Sequence, residues 1–250
     1  MPRFFVTSQQ IEGDVVTILG DDARHISRAL RMAVGDRITA CDMARTEYDC
    51  ELIAFLPDCV KARVLDTRES ATEPPVHITL YQALPKGDKL DSVIQKAVEC
   101  GVSCIQPFES ERCVVRAKPE AEAHKTERRA RIALEAAKQC GRGMIPAVKP
   151  TVGFDEMLRL AAEADAVLFC YEGEGTVPIG KLLRADKIPK GSRLAVVIGS
   201  EGGFSLAEAE KAAQNGFFMT GLGARILRTE TASGFVLACI CCMLELDGSC

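Results

Sequence analysis

The chain has 250 residues, of which 47% are hydrophobic and 26% are charged, and its formal net charge is −4. This composition is typical of a globular protein and excludes an intrinsically disordered chain. The net negative charge also excludes nucleic-acid binding driven by overall charge, so any such binding must depend on local basic patches.

The sequence contains only weak signals for a membrane-spanning segment or a metal site. We expect no apolar run long enough to span a membrane, and Met1–Arg3 lead into no signal-peptide core, so a cytoplasmic protein without a membrane partner is expected. The 12 cysteines are scattered, often inside apolar runs such as residues 237–246. Reduced thiols act there as small hydrophobes. Cys239 and Cys242 form a C-x-x-C without a second pair, and the three histidines match no zinc spacing, so we expect no metal site.

The first part of the chain is predicted to be a small β-barrel interrupted by one helix. Turn residues separate five strand-like segments: Phe4–Val6, Val15–Leu19, Arg37–Cys41, Tyr48–Phe55 and Val60–Leu65. Residues 23–32 have helical periodicity, with Asp21 and Asp22 as candidate N-caps. Ile26 and Leu30 are expected to point the same way. Three arginines share the opposite face: Arg24, Arg28 and Arg31.

A polar segment, residues 66–77, contains two adjacent prolines and predicts a linker between domains 1–70 and 71–250. Beyond it strands alternate with helices, which predicts an α/β domain with a largely parallel sheet. The strand-like segments are residues 78–84, 102–108, 166–172, 194–198 and 217–222. The helical segments are residues 88–101, 119–141, 153–164 and 230–246, together with a helix that starts at the Ser205–Glu208 capping box.

Three glycine-bearing loops follow strands of the predicted sheet, at residues 172–181, 199–203 and 221–232. Ligands of open α/β sheets bind at the carboxyl ends of strands, so three such loops favour a ligand pocket, although each loop could simply form a tight turn. The dinucleotide fingerprint is absent from all three. Residues 175–181 resemble the start of a phosphate-binding P-loop, but Leu182 stands where Ser or Thr should hold magnesium. A P-loop-like nucleotidase is therefore an alternative function, although the residue that would hold its magnesium ion is missing.

Basic residues concentrate between Arg112 and Arg142, where nine Lys or Arg face four Glu. A solvated helix face is the ordinary explanation for such a run. Together with the arginines of the first helix, the run also gives both predicted domains a surface that could contact phosphate. A non-catalytic RNA-binding module is thus a second alternative.

The motifs IGSEGGFSLAE at 198–208 and LGARILRTETA at 222–232 resemble the signature of the SPOUT methyltransferases. Within these they are most similar to the RsmE family, which methylates a uridine of small-subunit ribosomal RNA at ring position N3. Ser200 stands where the family usually has Pro, and Cys100 replaces a usual Leu. Three further segments agree with the resemblance: residues 2–6, 82–115 and 138–142.

The resemblance implies a PUA-like β-barrel that binds RNA, followed by a SPOUT-type α/β domain with a deep trefoil knot. Glycine would let the crossing segments of a knot approach closely. The implied cofactor is S-adenosyl-L-methionine, and the implied substrate is 16S ribosomal RNA, within the small ribosomal subunit. The last helix is apolar nearly all round, which fits a core helix or a subunit interface, and the family favours a homodimer.

The resemblance also implies site residues. The cofactor-binding candidates are Leu168, Tyr171, Glu172, Ile198, Gly199, Glu201, Gly202, Gly203, Leu222, Gly223, Ile226, Leu227 and Arg228. Arg228 is also the catalytic candidate, because it could hold substrate phosphate or stabilise the developing uracil anion, and no general base is evident. Glu230 is expected to stabilise the last helix, because its negative charge lies near the amino terminus of that helix. The candidate RNA-contacting residues are Arg3, Arg24, Arg28, Arg31, Arg112 and Arg142.

Overall fold

The computed structural model describes residues 1–183 and 188–246. Contacts divide them into two compact units, the first formed by Met1–Glu73 with Ala137–Ile145 and the second by Pro74–Ala136 with the described part of Pro146–Cys250. Residues 137–145 therefore belong with the first unit, although the sequence predicts 71–250 as one continuous domain.

The first unit is built on one six-stranded sheet. Its strands are β1 (Arg3–Phe5), β2 (Ile11–Glu12), β3 (Val15–Leu19), β4 (Arg37–Cys41), β5 (Thr46–Phe55) and β6 (Cys59–Glu69). They lie in the order β1-β4-β5-β6-β3-β2, and every ladder is antiparallel except β1 with β4. Alternating side chains such as Val16, Ile18 and Leu52 are fully buried and form the core of this unit.

The helix of the first unit differs from its prediction. α1 (Gly20–Arg24) continues as a π-helical turn over His25–Ala29, and its N-cap is Leu19, so the prediction that Asp21 and Asp22 cap it is wrong. Ile26 is buried, but Leu30 is 39% exposed and does not share the core-facing side. The wider π turn shifts the angular position of later residues, so the i, i+4 rule for α-helices fails across it.

The second unit contains one eight-stranded sheet in which every ladder is parallel. Its strands are β7 (His77–Ala83), β8 (Cys104–Glu109), β9 (Ala147–Val148), β10 (Val152–Gly153), β11 (Ala166–Cys170), β12 (Val177–Pro178), β13 (Arg193–Ile198) and β14 (Phe218–Gly221). The helices are α2 (Lys89–Glu99), α3 (Pro119–Cys140), α4 (Phe154–Ala161), α5 (Ile179–Leu182), α6 (Leu206–Gln214) and α7 (Thr229–Cys241). Residues 137–140, at the end of α3, are counted with the first unit. The α/β class with a parallel sheet is confirmed.

The strand order brings three distant parts of the sequence together. The sheet runs β10-β8-β7-β13-β11-β14-β12, with β9 beside β8, so β13, β11 and β14 are neighbours. Parallel strands end at the same edge of a sheet, and the loops that follow these three strands therefore meet there. β13 is central, and residues 194–198 are buried on both faces, as an uninterrupted apolar run predicts.

The capping box after β13 is confirmed. The backbone N–H of Glu208 donates to Ser205 Oγ at 3.3 Å, and the Ser205 N–H donates to Glu208 Oε2 at 2.9 Å. These bonds fix where α6 begins and thus limit the preceding loop to residues 199–204.

The last helix covers nearly the predicted range, residues 230–246. α7 runs into a π-helical turn over Cys242–Leu246, and the resulting Thr229–Leu246 segment is long and apolar enough to cross a membrane by length and composition. The prediction that no apolar run has this length is therefore wrong. The core helix of a folded domain meets the same criterion, and Val236, Leu237 and Ile240 of α7 are fully buried.

Candidate functional site

A cavity of about 630 Å³ opens at the edge where β11, β13 and β14 end. Its wall consists of residues 170–173 and 176, residues 198–204 and 206, residues 221–229 and 232, and Arg112. The three glycine-bearing loops of the sequence thus supply almost the whole wall. All of these residues belong to the second unit.

Main chain, rather than side chains, forms part of this wall. Gly203 has φ +63° and Gly223 has φ +103°, and a Cβ placed on either residue would meet nothing within 4 Å. Left-handed backbone is strained for residues with a side chain, so glycine suits both positions conformationally. The open space beside them leaves peptide groups accessible to a ligand.

A lysine ties the loop after β13 to two helices. The Nζ of Lys89, the first residue of α2, lies 2.8 Å from Oε1 of Glu201 and 3.7 Å from Oε2 of Glu230 in the first turn of α7. The backbone N–H of Lys86 donates to the same Glu201 oxygen at 3.1 Å. Burial alone would raise the pKa of Glu201, but the hydrogen bonds from Lys89 and Lys86 outweigh it and lower the pKa. Glu201 is therefore held as a carboxylate.

A buried hydrogen-bond chain links two residues of the cavity wall, Gly199 and Thr229, to Gln82. Gln82 Nε2 donates to Thr229 Oγ1 at 2.9 Å, and the Thr229 hydroxyl donates to the carbonyl oxygen of Gly199 at 2.6 Å. Gln82 is fully buried and Thr229 is 4% exposed. The chain fixes the position of the loop after β13 relative to the start of α7.

The cavity also carries exposed positive charge. Arg112, Arg225 and Arg228 line it and are exposed, whereas Glu172 and Glu201 are its acidic residues. Arg112 Nη1 donates to the carbonyl oxygen of Gly202 at 3.0 Å, and the contacts among the described residues give Arg225 and Arg228 no acidic partner. Arg228 is also the N-cap residue of α7, where the helix dipole adds positive potential. The arrangement favours an anionic ligand group near the cavity mouth.

The structure gathers nearly all the predicted cofactor-binding residues into this wall. Those that line the cavity are Tyr171, Glu172, Ile198, Gly199, Glu201, Gly202, Gly203, Leu222, Gly223, Ile226, Leu227 and Arg228. Leu168 does not, because it lies inside β11 between β13 and β14 and is only 1% exposed. Cys170, at the carboxyl end of the same strand, takes that place.

The predicted RNA-contacting residues fall into two groups, four that are exposed and two that are not. Arg112 lines the cavity, and Arg24, Arg28 and Arg31 are exposed on the first unit, where Arg24 pairs with Asp21. The other two predicted residues are Arg3 and Arg142.

Arg3 and Arg142 are held in ion pairs within the first unit. Arg3 Nη1 lies 2.6 Å from Glu47 Oε1, and Arg142 Nη2 lies 2.5 Å from Glu73 Oε2. The Arg142 residue is 3% exposed, so its guanidinium cannot reach an RNA phosphate while this pair is intact. For Arg142 the RNA-contact prediction is replaced by a structural role.

Several residues of the wall were not predicted individually. They are Gly173, Thr176, Ser200, Phe204, Leu206, Gly221, Ala224, Arg225, Thr229 and Ala232. Most of them lie within the glycine-bearing loops, which was the signal that could have identified them. Gln82 and Lys89 lie on other elements, and no local pattern marks them.

The P-loop-like segment does not form a phosphate cradle. Residues 177–178 are strand β12, and Lys181 lies in the short helix α5, outside the cavity wall. The structure therefore gives no support to the nucleotidase alternative. Across residues 1–183 and 188–246 no group of three His, Cys, Asp or Glu is placed to hold a metal ion.

Comparisons with known proteins agree with this geometry. A family model described as an RNA methyltransferase domain matches residues 72–241. The ribosomal RNA small subunit methyltransferase E of Bacillus subtilis (strain 168) is 36% identical over 252 residues, covering 98% of each chain. The protein of the same name from Synechocystis sp. is 30% identical over 244 residues, covering 97% of this chain and 78% of that protein.

A solved structure extends the likeness to the fold. The crystal structure of a ribosomal RNA small subunit methyltransferase E from Neisseria gonorrhoeae, bound to S-adenosyl methionine, matches with a TM-score of 0.82 and 31% identity. The match covers 96% of this chain and 97% of that one. By sequence and by fold, the chain belongs to the ribosomal RNA small subunit methyltransferase E family.

Proposed function

We propose that this chain transfers a methyl group from S-adenosyl-L-methionine to ring nitrogen N3 of a uridine in 16S ribosomal RNA, within the small ribosomal subunit. The observation that carries the proposal is the cavity whose wall is formed by three loops at adjacent strand ends. Family membership supports the reaction type, and the Neisseria relative was crystallised with this methyl donor.

The residues present fit such a cofactor. The cavity volume lies within the range of small-molecule sites. Gly203 and Gly223 leave backbone facing open space, which suits hydrogen bonding to an adenine ring and a ribose. Tyr171, Leu222 and Leu227 add apolar surface to the same wall.

The chemistry sets the tasks of the protein. S-adenosylmethionine supplies a methyl group on a positively charged sulfur. The protein must hold the uracil ring with N3 in line with that methyl group and must favour loss of the N3 proton. Arg228 is exposed at the cavity and lies at the amino terminus of α7, so its charge and the helix dipole stabilise a developing uracil anion. Arg112 orients a phosphate of the substrate.

The finer architecture belongs to the same proposal. Residues 1–70 form a PUA-like barrel that contacts RNA through exposed arginines such as Arg28 and Arg31, and residues 71–250 form a SPOUT domain with a trefoil knot. The protein acts as a cytoplasmic homodimer. Exposed apolar side chains among the described residues support a subunit interface. On the cavity wall, Ile226 is 84% exposed and Leu206 is 65% exposed.

Three measurements test the proposal. Calorimetry should detect S-adenosylmethionine binding by the folded protein, and small subunits from cells lacking this gene should accept one methyl group per particle. Mass mapping should then locate that group on N3 of one 16S uridine. Folded protein that binds RNA but no methyl donor would instead favour the non-catalytic RNA-binding module.

A further inference from the structure

The loop after β13 is held from both sides by residues of other segments. On one side Arg112 Nη1 donates to the carbonyl oxygen of Gly202 at 3.0 Å. On the other side Lys89 Nζ and the Lys86 N–H both reach Oε1 of Glu201, at 2.8 and 3.1 Å. The position of this part of the cavity wall therefore depends on groups outside the loop.

Lys89 also connects the loop to α7. Glu230 Oε2 is buried and has no hydrogen-bond partner among the described residues, and Lys89 Nζ is the cation 3.7 Å away from it. Without this ammonium group, the carboxylates of Glu201 and Glu230 would lie close together and repel each other. The hydrogen bond to Glu201 raises the pKa of Lys89, which keeps the ammonium charged.

The contacts of Glu201 argue for an indirect role of its carboxylate. Its Oε1 is already engaged by Lys86 and Lys89, and its backbone lies in the cavity wall. Its influence on a ligand then runs through the position of residues 199–203. We propose that Lys89 is a positioning residue that holds the 199–203 turn, through Glu201, in the geometry that binds the methyl donor. This inference rests on the proposed function.

Lys89→Met tests the role, with S-adenosylmethionine and S-adenosylhomocysteine as probes. We expect both affinities to fall by the same factor, about tenfold, because both ligands need the same wall. The thermal midpoint should fall only slightly, because Lys89 and Glu201 are both partly exposed, and the KM for the donor should rise while kcat does not. A purely electrostatic role predicts tighter binding of the cationic donor and unchanged binding of the neutral-sulfur product. That pattern, or unchanged affinity for both ligands, would overturn the proposal.

A double-mutant cycle sharpens the test. Glu201→Gln should weaken donor binding about as much as Lys89→Met, and the double variant should be no weaker than either single variant. Additive losses would mean that Glu201 contacts the donor directly and would overturn the role of Lys89. Lys89→Arg, which keeps a positive donor, should restore affinity to within about threefold of the original protein.

A matched control is available in the same unit. Lys211 Nζ lies 2.8 Å from Asp155 Oδ1, the same distance as in the Lys89–Glu201 pair, but outside the cavity wall. Lys211→Met should leave donor affinity unchanged. If the unaltered protein binds no donor, the proposed function fails together with this inference. If it binds the donor and Lys89→Met binds it equally well, only the role of Lys89 fails.

Discussion

Arg142 in the first unit is 3% exposed and forms an ion pair with Glu73. Arg228 in the second unit is exposed at the cavity, and no acidic residue among those the structure describes pairs with it. Glu73 Oε1 also accepts hydrogen bonds from the backbone N–H groups of Gly143 and Met144, so this carboxylate organises residues 142–144. The Arg142–Glu73 pair stabilises a segment of the fold, while the charge of Arg228 remains available to a ligand.

The comparison teaches that a local excess of positive charge does not identify an RNA-binding surface. Arg112 and Arg142 are the first and last residues of the same basic stretch of the sequence, but of the two only Arg112 lines the cavity. Arg3 resembles Arg142, since its pair with Glu47 leaves its side chain 16% exposed. Burial and pairing separate the arginines that hold the fold from those that remain accessible to a ligand, and neither property is visible in a charge count.

The largest expected effect concerns the cavity itself. Gly203→Val should weaken S-adenosylmethionine binding at least about 100-fold by calorimetry, because a branched side chain at φ +63° strains the turn and projects into the open space. Gly216→Val is the matched control, since Gly216 has φ +77° with open space around it but lies outside the cavity wall. Similar loss of donor binding in both variants would show that strain, and not the cavity, is responsible.

Breaking the buried pair should affect stability instead of binding. Arg142→Met leaves the Glu73 carboxylate buried without its cation, so the free energy of unfolding should fall by about 3 kcal/mol in urea titrations. Donor affinity should persist in the fraction that remains folded. Arg159→Met, which removes an exposed pair with Glu156, should change the unfolding midpoint much less. Equal effects would contradict the structural role of Arg142.

Removing the exposed charge of Arg228 at the cavity should affect catalysis instead of stability. Arg228→Met is expected to lower kcat about 100-fold in a methyl-transfer assay while the unfolding midpoint stays unchanged, because the side chain stabilises negative charge that develops only during the reaction. Arg193→Met is a suitable control, since Arg193 pairs with Asp165 on the surface of the same unit. A rise in KM with unchanged kcat would instead assign Arg228 to substrate binding alone.

The smallest effect is expected for the exposed arginines of the first unit. Arg28→Met should weaken ribosomal RNA binding only a few-fold and reduce the salt dependence of binding by about one counterion. Filter binding at several salt concentrations measures both quantities. The unfolding midpoint should not change, which would distinguish Arg28 from Arg142. An unaltered salt slope would remove Arg28 from the RNA-contacting surface.

Local chemistry was sufficient to predict much of the fold. The apolar run at 194–198 gave the central strand, and the Ser205–Glu208 pair gave the start of α6. Strands of only two residues, such as β9 and β10, contain no period to detect and were missed. The membership of residues 137–145 in the first unit depends on long-range contacts such as the Arg142–Glu73 pair, which no window of sequence contains.

The site was predictable where glycine marks it and not elsewhere. Glycine-bearing loops after strands located the cavity wall correctly, because parallel strands end together. Leu168 lies outside the cavity wall, since the position at which a strand's side chains leave the core depends on its neighbours in the sheet. Lys89 was invisible for a different reason: its partners Glu201 and Glu230 are more than 100 positions away in the chain.

The placement of β14 beside β11 has a consequence for biosynthesis. The residues of the third loop, 221–229, are synthesised after those of β11 and β13, yet they line the same cavity as the loop that follows β11. A nascent polypeptide therefore lacks one side of the cavity until residues 221–229 have left the ribosome. Ligand binding stabilises only molecules in which that side is complete, so occupancy by the methyl donor would favour chains folded through residue 229 over chains that stop before it.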